Sequence, residues 1–174
     1  MRVIGGEFRS RLLKSLPGLD TRPTPDRLRE ALFNVLAPRI EGAVFVDAYA
    51  GTGAVGIEAL SRGARKAIFL EQNRAAVGII RRNLKSLDIE DRAEVRQGPV
   101  SSVLGSVNGD IVFLDPPYRL EPEYELALTM LGNHAPSSVI VQHDVRLKLA
   151  ESYGELHRKR VLRQGDNCLT FFEA

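Results

Sequence analysis

Two short segments of the chain carry residue types that ordinary loops do not need. Asp115-Pro116-Pro117-Tyr118 follows the apolar run IVFL at 111–114. Two prolines withhold amide donors and hold a turn in one shape, so the segment offers acceptors: carbonyl oxygens, Pro116 among them, and the Asp115 carboxylate. Such a cluster suits the exocyclic amine of a nucleobase. That nitrogen is a poor nucleophile, and hydrogen bonds from its N–H groups to Asp115 and the Pro116 carbonyl would hold its lone pair toward an electrophile. Tyr118 offers a ring for stacking on the base. The base must be unstacked to arrive, at a cost of about a few kcal/mol that loop RNA largely avoids. Ordinary loop chemistry accounts for the prolines, but not for an aromatic residue at once beyond them.

The second segment, residues 47–56, reads DAYAGTGAVG, with Gly51, Gly53 and Gly56 spelling G-x-G-x-x-G. Glu71 falls 20 residues after Gly51. Together they satisfy a dinucleotide fingerprint: glycines for close backbone approach and an acid for ribose hydroxyls. Asp47 argues against a dinucleotide, because its carboxylate at the mouth of the loop repels a pyrophosphate. It suits a ligand bearing ammonium and sulfonium charges, such as S-adenosylmethionine. The purely structural role for Asp47, accepting amides of the glycine turn, is compatible with the functional one. For Glu71 that role is as a neighbour of a helix N-cap.

These segments need a scaffold that brings strand ends together. Apolar runs at 43–46, 67–70, 111–114 and 139–141, with a weaker one at 93–96, alternate with helix-length segments near 54–62, 74–86, 100–106, 123–132 and 144–151. Continuous apolar runs mean strands buried on both faces, as in a parallel sheet covered by helices. Gly63 stands where the first of those helices needs a C-terminal glycine. Residues 156–162 and 167–173 read as two strands joined by Gln164-Gly165-Asp166, hence antiparallel. The expected fold is α/β, an open, doubly wound, mostly parallel sheet ending in an antiparallel hairpin. Ligands bind such sheets beyond the carboxyl ends of the strands. Ahead of it, residues 1–14 suggest a short hairpin around Gly5-Gly6. Thr24-Pro25 then predicts a helix start with Thr24 as N-cap, and Pro38 predicts its end.

The chain has 174 residues, 44% hydrophobic and 26% charged, the balance of one ordinary globular domain. A basic extension at 1–40, packed on a main domain at 41–174, is expected as one structural unit. The extension holds eight Lys/Arg against four acids, while the remainder carries 16 against 18. That asymmetry suggests a polyanion-facing surface, although a solvated face explains it equally well on charge alone. Arg2, Arg9, Arg11, Lys14 and Arg22 are the residues expected to meet phosphates. One cysteine, Cys168, excludes an internal disulfide framework, and the three scattered histidines lack metal-ligand spacing. Cys168 reads as a buried small hydrophobe rather than a nucleophile. No apolar run reaches the ~20 residues that span a bilayer, and the expected location is the cytoplasm.

Residues 47–64 (DAYAGTGAVGIEALSRGA), 22–36 (RPTPDRLREALFNVL), the opening Arg2-Val3-Ile4-Gly5-Gly6 and Asp115 to Tyr118 together resemble the RsmD family of bacterial methyltransferases. The resemblance implies a seven-stranded Rossmann-like fold, with S-adenosylmethionine as donor and S-adenosylhomocysteine as product. It also implies methylation of the exocyclic amine of one guanine in 16S ribosomal RNA, within an assembled or nearly assembled small subunit. It places Asp47, Tyr49, Gly51, Thr52 and Gly53 around the donor, Glu71 on its ribose and residues 115–118 on the guanine. Arg27 or Arg29 would pair with the donor carboxylate; helix-surface ion pairs are the alternative for either. Where many relatives carry an acid for the donor adenine, this chain reads Gln97-Gly98-Pro99-Val100, leaving Gln97 or a nearby backbone group for that role. A monomer is expected.

Three other readings compete. An adenine-N6 methyltransferase on RNA or DNA uses the same turn, since adenine also offers two N–H donors. A nicotinamide-dependent oxidoreductase would use the glycine loop, against the sign of Asp47. A non-catalytic ribosome-assembly module would need only the basic extension.

Overall fold

The computed structural model describes residues 1–18, 24–117 and 119–174, so Arg22 and Tyr118 lie outside the described residues. The elements run α1 (Asp26–Ile40), β1 (Val44–Ala48), α2 (Ala54–Ser61), β2 (Lys66–Glu71), α3 (Arg74–Ser86), β3 (Ala93–Gln97), α4 (Val100–Val103), β4 (Ile111–Leu114), α5 (Glu121–Asn133), β5 (Ser138–Asp144), β6 (Ser152–Tyr153), β7 (Leu156–Gln164) and β8 (Asn167–Glu173). They form one eight-stranded sheet in the order β3-β2-β1-β4-β5-β8-β7-β6. β1 to β5 pair in parallel; β8 then runs antiparallel to both β5 and β7. The expected count of seven strands is corrected to eight by β6, a two-residue strand against the start of β7.

Alternate strand residues face two separate cores. Phe45, Phe69, Ile111, Phe113 and Ile140 pack with α1, α2 and α3, whereas Val46, Leu70, Val112, Val139 and Val141 pack with α5. This is why the strands read as continuous apolar runs: both faces are covered. From β1 the chain steps outward to β2 and β3, then returns across to β4. The sheet's order therefore reverses between β1 and β4, leaving a crevice beyond their carboxyl ends.

Four local expectations change. Helix α1 begins at Asp26 with Pro25 as its N-cap. Thr24 does not cap it, because its hydroxyl donates instead to Gln142 Oε1 at 3.2 Å. Pro38 lies inside α1, which continues to buried Ile40; in a last turn proline forfeits one bond and core packing extends the helix. Residues 100–106 divide into α4 and a 3₁₀ turn at Leu104–Ser106. No helix forms at 144–151, where β5 extends to Asp144. The Asp144 carboxylate accepts both the Arg146 amide (2.8 Å) and its guanidinium (2.9 and 3.1 Å), an Asx-type turn that diverts the backbone from helix.

The N-terminal hairpin is a single antiparallel bridge, Arg2 to Leu12. It is fastened to α2. Ile4 and Gly5 donate their amides to the Glu58 carboxylate at 2.8 and 3.2 Å. The Ser61 hydroxyl donates to the Gly5 carbonyl and accepts from the Phe8 amide. Glu58 is fully buried and faces Arg29 Nε at 3.7 Å and Arg62 Nε at 3.6 Å. Arg29, equally buried, donates to the Arg2 carbonyl at 2.6 Å, and desolvation lowers its pKa. On the opposite flank, β6 shields only the beginning of β7. The rest of that edge is blunted by exposed Arg158, Lys159, Arg160 and Arg163 and by a register shift between Arg158 and Arg160.

Removing one partner of a buried charge network leaves the others uncompensated. Glu58→Ala is expected to cost about 3–5 kcal/mol in urea unfolding, because Arg29 stays buried with only the exposed Asp26 carboxylate, at 3.2 Å, left to it, and the Ile4 and Gly5 amides lose their acceptor. A loss below about 1 kcal/mol would show that water replaces Glu58.

Candidate active site

A cleft of about 1580 Å³ opens over the β1/β4 crevice, bounded by the glycine loop, the Asp115 turn, the end of β5 and residues 15–16 and 24–26 of the N-terminal segment. Its chemistry begins with the loop after β1. Tyr49 has left-handed backbone (φ 62°), as do Gly51 (57°) and Gly53 (82°). This sharp reversal brings the chain into α2, whose N-cap is Gly53. A Cβ on Gly51 would meet nothing within 4 Å, so its backbone stands open to the cleft. A Cβ on Gly56 would lie 2.3 Å from the Phe69 ring, so glycine there permits close helix–strand packing.

Asp47 is 2% exposed, at the floor of the cleft, and its Oδ2 accepts the Gly56 amide at 2.9 Å. Burial raises its carboxyl well above the usual carboxylate range; the Gly56 amide opposes that rise, and Asp115 and Glu71 add to it. Glu71, at the end of β2, accepts from the Gly51 amide at 2.7 Å and the Asn73 amide at 2.9 Å. It thus ties the glycine loop to the start of α3, where Asn73 caps the helix through Ala76. A carboxylate retains further lone pairs, so these two bonds leave acceptor capacity toward the cleft that Glu71 lines.

Asp115 stands across the crevice from Asp47, and burial pushes its carboxyl up to about 7. Pro116 and Pro117 line the same wall. The Pro116 carbonyl already accepts the Tyr124 hydroxyl at 3.2 Å, which leaves one lone pair for a substrate N–H. Tyr49 donates its hydroxyl to Glu123 Oε2 at 2.8 Å, bridging the glycine loop to the first turn of α5. Desolvation, joined by this bond, pushes the phenol pKa up.

The structure brings Asp47, Tyr49, Gly51, Thr52, Glu71, Asp115, Pro116 and Pro117 into one cleft. Gly53 lies just behind it, its Cβ position against Ile80 and Phe69. Arg29 is turned away into the Glu58 network, so it is not positioned for a donor carboxylate; Arg27 is exposed on α1 and outside the cleft lining. Gln97 is exposed at the end of β3, while Pro99, Val100 and Ser101 line the cleft instead. Cys168 is buried in β8, with its thiol pKa pushed up by desolvation, against any nucleophilic role.

Sequence reading missed Asn83. Buried on α3, it accepts the Lys14 amide at 2.7 Å and donates to the carbonyls of Lys14 (3.0 Å) and Thr52 (3.1 Å), linking the basic segment to the glycine loop. Gln142, Glu123 and Tyr124 of the cleft wall were missed as well. An asparagine among apolar α3 positions and a glutamine inside VIVQH were the available signals.

The arrangement suits a cationic ligand held near a nucleobase. Asp47, Glu71, Asp115, Glu121 and Glu123 face the space with Arg119 and Arg146, the latter bonded to Asp144, so acids predominate and a pyrophosphate would enter against like charge. A family model described as Conserved hypothetical protein 95 matches residues 1–173. The chain belongs to the RsmD family. It is 43% identical over 122 residues to ribosomal RNA small subunit methyltransferase D of Escherichia coli, an alignment covering 68% of this chain and 61% of that protein. A hypothetical protein of Thermus thermophilus superposes with a TM-score of 0.83 at 29% identity, covering 100% of this chain and 99% of that one. An RNA methyltransferase from Salinibacter ruber, solved with S-adenosyl-L-homocysteine, shares the fold at TM-score 0.68 and 17% identity, covering 86% of this chain and 92% of that one.

For this RsmD-family chain the raised Asp47 carboxyl has a stability consequence with a definite sign. Its folded pKa exceeds the unfolded value of about 3.9, so the folded form loses stability as pH rises through that window. Asp47→Asn keeps the acceptor for Gly56 and removes the buried charge. At pH 7.5 the unliganded variant is expected to melt about 2–4 °C higher by calorimetry, while titration with S-adenosylhomocysteine shows weakened binding. A lower melting point would contradict the assigned electrostatics.

Proposed function

We propose that this RsmD-family chain transfers a methyl group from S-adenosylmethionine to the exocyclic N2 amine of a guanine in 16S ribosomal RNA, within the small ribosomal subunit. One observation carries the reading: the acceptor-only turn at Asp115-Pro116-Pro117 opposes the glycine loop and Asp47 across a single cleft. The residues present fit the donor. Glu71, at the end of β2 beside the glycine loop, would take the ribose hydroxyls, Gly51 leaves open space for close approach, and the buried Asp47 carboxylate favours positive charge. Pro99, Val100 and Ser101 replace the acid expected near the adenine.

When bound, S-adenosylmethionine supplies an electrophilic methyl group on a sulfonium centre. Asp115 and the Pro116 carbonyl hold the two amine hydrogens, aiming the nitrogen lone pair along the line of transfer. A new N–C bond forms as the C–S bond breaks, and the nitrogen then sheds one proton. Asp115, with its carboxyl near 7, is matched to accept that proton at neutral pH. The N-terminal segment and the proline turn form two walls of the cleft.

RNA binding is proposed on one continuous basic face. Arg11 donates to the Ser86 carbonyl at 3.0 Å and Lys14 is tied to Asn83, so the extension lies along α3. This joins Arg9, Arg11 and Lys14 to the exposed Arg81, Arg82 and Lys85 of that helix. Arg2, also exposed, donates to the Ser10 carbonyl and helps hold the hairpin.

The direct test is methyl transfer from labelled S-adenosylmethionine to small subunits lacking the modification, with naked 16S RNA and DNA alongside, followed by nucleoside mass spectrometry. Label in the guanine exocyclic amine, strongest on subunits, is expected; label in adenine would overturn the substrate, and label in neither base would overturn the reading. Asp115→Ala is expected to lower kcat at least about 10²-fold, by analogy with removing one positioned polar group. In the wild type, kcat/KM should fall about tenfold per pH unit below about 7 as Asp115 becomes protonated; a flat profile would remove its role as acceptor. Reversing Arg11 and Lys85 to Glu should weaken subunit binding and make the slope of log affinity against log salt shallower by about 1 for each phosphate no longer neutralised. An unchanged slope would place the RNA elsewhere.

A further inference from the structure

We infer that Gln142 reads the base: its side-chain amide donates a hydrogen bond to the carbonyl oxygen O6 of the target guanine and thereby rejects adenine. The inference rests on the guanine-methylation reading above and extends it to a residue that reading does not use.

The register places Gln142 beside the acceptor turn. Leu114 pairs with Val141 across β4 and β5, so Asp115, just past the end of β4, stands beside Gln142, which stays in β5 opposite Leu169 of β8. Neighbouring strands are about 4.8 Å apart. That matches the scale of a purine's Watson–Crick edge. Alternation along each strand sends Phe113, Asp115, Ile140 and Gln142 to the same face, the one covered by α1. Tyr124 locks the two strand ends together: its hydroxyl lies 3.2 Å from the Pro116 carbonyl and 3.4 Å from the Gln142 carbonyl.

Gln142 is 3% exposed, and its side chain lines the cleft. Its Oε1 accepts from Thr24, a hydroxyl that is itself buried and that left the capping position of α1 to make this bond. With the oxygen turned to Thr24, the amide's NH₂ is the group left to the cleft, and it donates to no acceptor among the described residues. That nitrogen stands open to the cleft, where a ligand carbonyl can take the place of water as its acceptor.

Guanine supplies that partner. Its Watson–Crick edge presents O6 as acceptor, then N1–H, then the N2 amine. Asp115 accepts from the amine and N1–H while Gln142 donates to O6, so every polar atom of the edge is paired. Adenine inverts the pattern: its N6 amine would meet the Gln142 NH₂ donor to donor, and its bare N1 would face a carboxylate. A site built around hydrogen bonds to a substrate rejects the analogue that lacks them far more strongly than an apolar pocket does.

The test uses the full-length protein and small subunits reconstituted with guanine, 6-thioguanine or adenine at the methylated position, the thiocarbonyl being a weak acceptor. Wild type is expected to lose about 10-fold or more in kcat/KM on 6-thioguanine and to leave adenine unmethylated. Gln142→Met, nearly isosteric but without the amide, should lose about 10–100-fold on guanine, lose little further on 6-thioguanine, and narrow the guanine-to-adenine ratio. Titration with S-adenosylhomocysteine should give wild-type affinity, which separates lost recognition from lost folding. Wild-type kcat/KM in Gln142→Met, or equal further losses on 6-thioguanine in both proteins, would overturn the role of Gln142. Failure of the wild type to methylate the guanine substrate would instead overturn the function on which this role rests.

Discussion

Parallel pairing of β1, β4 and β5 sets the height at which the polar groups of the cleft stand. Asp47 is opposite Phe113, and Leu114 is opposite Val141, so one ladder fixes the glycine loop, the Asp115 turn and Gln142 in mutual register. Because β-strand side chains alternate with a period of two, a one-residue slip of any of these strands would send its polar group to the opposite core. The apolar residues between them, Phe45, Phe113 and Ile140 on one face and Val46, Val112 and Val141 on the other, make such a slip costly. Packing thus serves the chemistry by determining register.

The same ladder gathers acids where they are poorly solvated. Asp47 accepts the Gly56 amide and no other donor among the described residues, and Asp115 is lifted toward neutrality by desolvation. On the proposed function, a cationic ligand bound there would offset the clustering of these acids. The walls of the cleft are stiffened from outside. The buried Arg29–Glu58–Arg62 cluster clamps the N-terminal hairpin to α2, and Asn83 joins Lys14 to Thr52. Both fastenings act on the helix or loop that carries the glycines.

Charge is segregated at the scale of the whole molecule. Acids line the cleft, while the extension and α3 present cations outward along a shared border near Lys14 and Thr52. On the proposed function, phosphates would meet the basic face while an uncharged, unstacked base would enter the acid-lined cleft.

The sequence by itself determined the alternation of helices and buried strands, the antiparallel end of the sheet, and the chemistry of the two strand-end segments. These are local: apolar runs, glycine spacing and paired prolines carry their meaning within a few residues. Most strand positions were legible to within a residue or two at their N-terminal ends for that reason. The sequence did not determine that Thr24 would abandon its helix for Gln142, that Asp144 would turn the chain where helix was expected, or that Arg29 would face Glu58 instead of the cleft. Each depends on a partner far away in the chain or on a competition between a side chain and the backbone. Only the tertiary structure decided these, because a polar group's burial, and hence its need for a partner, exists only once the sheet and its helices have closed around it.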